Sequence, residues 1–440
     1  MFPSDILKNR MKLTKLAIFL ILLTAATAFA QQKDVAGLLQ ESAALIQAGN
    51  FNAAGPLLRK ATTLAPKNAD AHNLLGIVLD QAGKTVEAER EYRTAIRLNP
   101  KAFSPLSNLG VLLAKSTRKT EAIRIFETVI RLAPDHPAAT INLGFLYNTV
   151  GNYPKAVEYL KKANIIQPNT YDIIFNLGTA LYNLKSFDEA AQNLAAASAV
   201  SPESAEPVYW LGMIAFDRNQ DELAENYFER SITLHPDYTE ANFMLGELHM
   251  KYKLYSEAKN YYELVLKHDT TKPVYYIRLG GAYLFLKDFE HALEVFKKAS
   301  MSFPKIPEIH YFLAITAHGS GNFDLALDAV KKSLAIKETA DSDSLFGSIL
   351  ADRNETVEAE KYLRKALLLN PKHFNSLNDL GRLLVKNRRF ADAIPVLQLA
   401  ATLSSNPDIH YQLFLAYSRT KLKAEADKEF QLFKQLSEKK

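Results

Sequence analysis

The stretch DHPAATINLGFLYNTVGNYPKAVEYLKKANIIQP, residues 135–168, reads as two helices and the breaks that separate them. From Ala138 to Val150 the apolar residues include Ile141, Leu143, Leu146 and Val150, the spacing of a helix with one buried face. Gly151-Asn152 interrupts it, since glycine accepts the left-handed backbone that ends helices. Pro154 falls in the first turn of a second helix, where its missing N–H costs nothing. Ala156, Val157, Leu160, Ala163 and Ile166 then form an apolar stripe at 3.6-residue spacing. Pro168 closes the segment because it cannot continue the hydrogen-bond ladder.

The same arrangement recurs along the chain. Gly76, Gly110, Gly144, Gly178, Gly212, Gly246 and Gly280 stand 34 residues apart. Ala88, Ala122, Ala156, Ala190, Ala224, Ala258 and Ala292 each follow their glycine by twelve. A fixed period of this length means one supersecondary unit stacked in space, each unit touching only its neighbours. A glycine inside a helix costs about 1 kcal/mol against alanine. Its recurrence predicts that two helices close up there, with Ala156 expected to be the small residue that Gly144 meets. Large aromatics fill the hairpin ends: Phe51, Tyr153, Phe187, Tyr255, Phe289, Phe323 and Phe390 each precede a repeat alanine by three.

These positions resemble the tetratricopeptide repeat. Leu143-Gly144, Tyr147, Gly151, Tyr153, Ala156, Ala163 and Pro168 stand at that motif's places, and Pro100, Pro134, Pro202, Pro236, Pro304 and Pro371 close other units. The resemblance covers residues 35–440. It implies an all-α fold, a right-handed superhelical solenoid of about twelve helix-turn-helix hairpins whose first and last units act as caps. Several units depart from the pattern. Ser42 takes the glycine position in the first unit and Ala314 takes it later. The step from Ala314 to Gly347 is 33, so one residue is missing near Ile336–Asp343, where a local irregularity is expected. The last unit, around Ala416, Tyr417, Ala426 and Phe430, has no glycine.

Residues 1–30 read differently. Lys8, Arg10, Lys12 and Lys15 precede the apolar run Leu16–Leu23, and Ala28-Phe29-Ala30 follows: a basic region, an apolar core and an A-x-A cleavage site. Cleavage after Ala30 is expected, which would leave no transmembrane span; an uncleaved anchor is the alternative. Met11-Lys12 is a second plausible start for this signal peptide. The remainder carries 49 basic and 47 acidic residues, a net +2, which does not favour a nucleic-acid or anionic-membrane partner. Cysteine is absent, which excludes disulfides, thiolate metal sites and a cysteine nucleophile.

In the family the first helix of each repeat lines a concave groove. The resemblance implies that residues two before, one after and four after the glycine face it. Asn108, Asn142 and Asn176 fall two before, in Asn-Leu-Gly triplets similar to the asparagine ladder of the superhelical domain of O-linked N-acetylglucosamine transferase. An amide donates and accepts at once, so such residues suit peptide backbone; they equally suit bonds between neighbouring helices. A second zone is apolar: Phe145, Tyr182, Trp210, Met213, Phe216, Met244 and Met250, types enriched at adaptable binding surfaces and equally at home between helices. A third zone, Arg278, Phe312, Asp379 and Arg382, is mixed. Positions three before the glycine hold no lysine, which argues against the family's carboxylate clamp.

The sequence holds no phosphate loop, zinc-protease motif, dinucleotide fingerprint or nucleophile elbow. Asp341-Ser342-Asp343-Ser344 lacks the glycine and glutamate of a calcium loop and reads as a helix N-cap. The expectation is therefore not an enzyme and no cofactor or metal, but an interaction scaffold binding a peptide or protein. Export would place it in the periplasm or outside a bacterial cell. The alternative is an accessory subunit of a polysaccharide-handling system that binds glycan.

Overall fold

The computed structural model describes residues 32–438, so the expected signal peptide, its cleavage site and Met11 lie outside the described residues. Everything described is helix or short connection; no strand occurs among these residues. The chain divides into two compact units, one ending at Arg218 and the other beginning at Asn219.

The first unit comprises α1 (32–47), α2 (Phe51–Leu64), α3 (Ala69–Gln81), α4 (Thr85–Leu98), α5 (Phe103–Ala114), α6 (Lys119–Leu132), α7 (Pro137–Thr149), α8 (Tyr153–Ile166), α9 (Tyr171–Asn183), α10 (Phe187–Val200) and α11 (Ala205–Asp217). The second comprises α12 (Asp221–Leu234), α13 (Thr239–Lys251), α14 (Tyr255–His268), α15 (Pro273–Phe285), α16 (Phe289–Ser302), α17 (Pro307–Gly319), α18 (Phe323–Ile336), α19 (Ala340–Asp352), α20 (Thr356–Leu369), α21 (Phe374–Lys386), α22 (Phe390–Leu403), α23 (Pro407–Arg419) and α24 (Lys423–Ser437). Odd-numbered helices are the first members of hairpins and even-numbered ones the second. Within each unit consecutive helices pack in sequence order, as a solenoid requires.

The aromatics at the hairpin ends occupy the first position of α2, α8, α10, α14, α16, α18 and α22. Just before them the chain turns through a left-handed residue. Gly151 and Gly321 fill that place in two hairpins, but Lys185, Lys253 and Lys287 fill it in others, with φ near +60°. Asn50, Asn152 and Asn322 then cap α2, α8 and α18, each side chain accepting the backbone N–H three residues on.

The glycines do mark close approach, but not where the sequence reading put it. A Cβ on Gly144 would strike Leu160 at 2.8 Å, so Leu160 rather than Ala156 is the side chain it meets first. Eight hairpins obey this rule: Gly76, Gly110, Gly144, Gly178, Gly246, Gly280, Gly347 and Gly381 each face the side chain sixteen residues later. Those partners are Tyr92, Phe126, Leu160, Leu194, Tyr262, Phe296, Leu363 and Leu397, all buried. The reason is direction. Helical side chains tilt toward the N-terminus, so the residue covering the glycine lies one turn beyond the repeat alanine. Where Ala314 replaces glycine, the residue sixteen on is the smaller Val330, and both are fully buried. At the end of the chain Phe414 holds the glycine position, its ring 4.9 Å from that of Phe430.

The missing residue lies in the connection between α18 and α19, three residues long where the others around it have four. The connection between α22 and α23 is shortened in the same way. This second 33-residue step was hidden because Phe414 breaks the glycine series. The N-cap expected from Asp341–Ser344 is Thr339 instead: its Oγ1 accepts the Ser342 N–H at 3.1 Å, and the acidic run forms the first turn of α19. Asp343 is thereby drawn inside, fully buried, with Lys365 Nζ 3.3 Å from its Oδ1 and its Oδ2 without a partner. Burial pushes its carboxyl above the usual carboxylate range, and Lys365 pulls it back in part.

Candidate functional site

On a first helix, the residues two before, one after and four after the glycine sit beside a position that must face the second helix. The positions two before and one after thereby turn away from the hairpin interior, and the position four after lies on the rim between the two faces. All ten amide, aromatic and methionine candidates are half-buried, neither in the cores nor fully free, and Arg278 is exposed.

The three asparagines behave individually. Asn108 on α5 donates to Asn73 Oδ1 on α3 at 3.0 Å, and Asn73 donates in turn to Ser104 Oγ at 3.1 Å. Asn142 donates to the Ala138 carbonyl of its own helix at 2.7 Å. Asn176 donates to the Asp172 carbonyl and accepts from Asn148 at 3.0 Å; Asn148 also reaches Thr179 Oγ1. Asn108 and Asn176 thus link adjacent first helices, while their half-open side chains leave a polar edge on the same face. Asn148, four after Gly144, belongs to this rung and was missed, although the same spacing rule selects it.

Farther along the first unit the face becomes aromatic. Tyr182 on α9 meets Trp210 on α11 edge-on, with ring centroids 4.9 Å apart, and Tyr209 meets Trp210 at 5.6 Å. The Tyr182 hydroxyl donates to Asp217 Oδ2 at 2.7 Å, and burial pushes that phenol well above its usual range. These rings hold each other in place, so little side-chain freedom remains to be lost on contact with a ligand. Phe145, Met213 and Phe216 share the face by register.

In the second unit Met250 packs against the core, as does Phe312. Arg278 is committed to a chain of contacts: its Nε donates to Glu247 Oε1 at 2.7 Å, which also accepts the Tyr262 hydroxyl at 2.6 Å. A cavity of about 490 Å³ lies beyond them on the first-helix face, among α17, α19, α21 and α23. His318, Ser348, Asp352, Asp379, Arg382 and Gln412 line it. His318 Nε2 lies 2.8 Å from Asp352 Oδ2. Burial pushes the Asp379 carboxyl up and the charge of Asp352 adds to this, while Ser348 and Arg382 oppose it. Asp379 and Arg382 belong to the mixed third zone; His318, Ser348, Asp352 and Gln412 were missed. Register alone would have selected His318, Ser348 and Gln412, but not their convergence. Among the described residues no group of three or more metal-ligating side chains gathers, and no helix is long and apolar enough to cross a membrane.

Models of the tetratricopeptide repeat match residues 45–109, 108–169, 175–238, 239–269, 274–305 and 345–407. The chain belongs to the tetratricopeptide repeat family. No curated protein matches the sequence. Solved structures similar to this tetratricopeptide repeat protein include YrrB, described as a protein of this repeat with an unusual peptide-binding site, at 22% identity over 44% of this chain and 97% of that one, TM-score 0.41. Pseudomonas aeruginosa pilF shares 23% identity over 50% and 99%, TM-score 0.42. The Cut9–Hcn1 assembly shares 14% over 91% and 93%, TM-score 0.48. The family assignment rests on the repeats rather than on these structures.

Proposed function

We propose that this tetratricopeptide repeat protein is an exported scaffold of a bacterial envelope that holds a peptide or protein segment against its first-helix faces. The observation that carries the reading is the half-open Tyr182–Trp210 pair beside the amide rung of Asn148 and Asn176. Pre-oriented rings supply contact area, and amides satisfy a backbone that the rings would desolvate. Export is supported by the basic and apolar signal of residues 1–30.

Trp210 is the only tryptophan, so its emission reports this face directly. Affinity capture from envelope extracts, followed by titration of each captured peptide and of glycan, should shift that emission with peptide, and Trp210→Ala should abolish the binding. A response to glycan instead, or capture that leaves Trp210 unaffected and tolerates its removal, would overturn the placement. N-terminal sequencing of exported material should begin at Gln31; an intact Leu16–Ala30 segment would refute cleavage.

A further inference from the structure

Residues 85–132, from α4 to α6, carry a charge that the whole-chain total conceals, most of it on Lys101, Lys115 and Arg118 in the connections around those helices. The segment contains nine basic and five acidic residues, a net +4, where everything after residue 30 nets only +2. Between α4 and α6 lies a groove of about 680 Å³. Ile96, Leu109 and Ile125 form its apolar lining together with Val86, which is 83% exposed. Arg90, Arg93 and Arg97 line it from α4, with Glu89 beside them. A second cavity of about 580 Å³ follows at α6 and α8, lined by Arg124, Thr128, Ile130, Arg131 and Tyr159 together with Glu127, whose Oε1 is held by Tyr147 and Lys155.

The two sites repeat one device 34 residues apart. Thr94 Oγ1 donates to the Arg90 carbonyl and accepts from Arg97 Nη2 at 2.9 Å. Thr128 Oγ1 donates to the Arg124 carbonyl and accepts from Arg131 Nη2 at 2.8 Å. Each threonine thus orients a guanidinium at the groove. Arg93 and Arg118 are neutralised by Glu89 and Glu121 in a closed network. Among the described residues no salt bridge within 4.0 Å is recorded for Arg97, Arg124 or Arg131, all three exposed. The oriented guanidinium groups of Arg97 and Arg131, outside any ion pair within 4.0 Å and beside an apolar floor, match a ligand with carboxylates on one stripe and apolar side chains on the next.

We infer that the α4/α6 and α6/α8 grooves dock an acidic amphipathic helix of a partner protein, its carboxylates on Arg97 and Arg131 and its apolar stripe on Val86, Ile96 and Ile125. The grooves lie between second helices, so this surface is separate from the first-helix site and both can be occupied together. The alternative anion, a lipid surface, is planar and would reach the exposed arginines but not Ile96, Leu109 and Ile125 between the helices.

The test uses the full exported chain and a fluorescently labelled synthetic helix with glutamates along one stripe and leucines along the adjacent one. Anisotropy should report binding that weakens with added salt, and a lysine-for-glutamate version should not bind. Arg97→Glu with Arg131→Glu should weaken binding at least about tenfold, the effect of losing charge-assisted contacts, with an unchanged melting profile. The substitution Ile125→Glu should weaken it as well. Three results would overturn the inference: no binding of the glutamate peptide, equal binding by the arginine double variant, or retention on phosphatidylglycerol vesicles with none of the peptide. Trp210 emission, read in the same titration, should not move; a shift would place the peptide on the first-helix face instead.

Discussion

Gly280 and Gly281 stand side by side in the interior of α15 and offer an internal control. A Cβ on Gly280 would overlap the ring of Phe296, striking Cζ and Cε2 and lying 2.8 Å from Cε1; a Cβ on Gly281 would meet nothing within 4 Å. Replacing either by alanine gains about 1 kcal/mol of helix propensity. That gain cancels when the two variants are compared. What remains is the overpacking of a fully buried ring, about 1–3 kcal/mol. Gly281→Ala should therefore stabilise by up to about 1 kcal/mol, and Gly280→Ala should fall about 1–3 kcal/mol below it. Because a repeat array need not unfold in one step, amide exchange of α15 and α16 is the sharper assay, with urea unfolding as support.

The chain itself suggests the rescue. At the equivalent site Ala314 is matched by Val330, both fully buried. Phe296→Val should relieve Gly280→Ala. Alone it should destabilise, since it leaves a void and removes the stacking of Phe296 on Phe312, whose centroids are 5.6 Å apart. The double-mutant cycle should give a favourable coupling of roughly 1–3 kcal/mol. If Gly280→Ala is no less stable than Gly281→Ala, or the coupling is zero, the glycines are not there to admit the residue sixteen positions on.

Three further outcomes are expected. Lys287, at φ +59°, sits where Gly321 (φ +79°) serves another hairpin; Lys287→Gly should stabilise by about 1 kcal/mol and Gly321→Ala should destabilise by a similar amount, read from urea midpoints. Asp343 has its carboxyl pushed up by burial, so the native state keeps that proton to a higher pH than the unfolded chain does. Its contribution favours folding below the ordinary aspartate value of about 3.9 and is lost as pH rises through the raised one. Asp343→Asn should thus raise the urea midpoint near neutral pH and have little effect in acid; a lower neutral midpoint would mean that the Lys365 contact outweighs burial. Tyr182→Phe removes the hydroxyl bonded to Asp217 while keeping the ring against Trp210, so peptide binding on that face should survive it but not Trp210→Ala.

The 34-residue step made the hairpins legible because it repeats backbone requirements: a closing proline, a left-handed turn, a helix start. Such requirements act within a few residues and leave a mark in the sequence. The partner of Gly144 did not, since choosing Leu160 over Ala156 depends on the tilt of side chains across two helices. The second shortened connection escaped for a related reason: Phe414 and Phe430 solve the packing with two rings, so no glycine marks the register. At the candidate site, register selected residues that are at least partly exposed, although Met250 and Phe312 pack against the core. It did not tell which of them come together. His318, Asp352, Asp379 and Arg382 converge across three first helices, and that adjacency exists only once the repeats are stacked.

The same division explains how one chain can hold identical hairpins and distinct surfaces. Nine hairpins are closed by a pair sixteen residues apart in which the smaller first residue goes with the larger second: glycine with phenylalanine, tyrosine or leucine, alanine with valine; Phe414 and Phe430 depart from this in the last. Substitutions there must be compensated within the hairpin. The outward positions lie outside that pair, so Asn176, Trp210 and Asp379 can occupy equivalent rows without disturbing it, Asn176 and Trp210 meeting neighbouring first helices instead. Substituting a whole first-helix row in one hairpin should therefore change what binds while leaving neighbouring hairpins intact. Grafting the row of Trp210, Met213 and Phe216 onto Asn142, Phe145 and Asn148 is the direct test. The grafted chain should keep its amide protection in α5, α6, α9 and α10 and bind the aromatic-face ligand at a second site; loss of protection there would mean that the outward rows carry the stack as well.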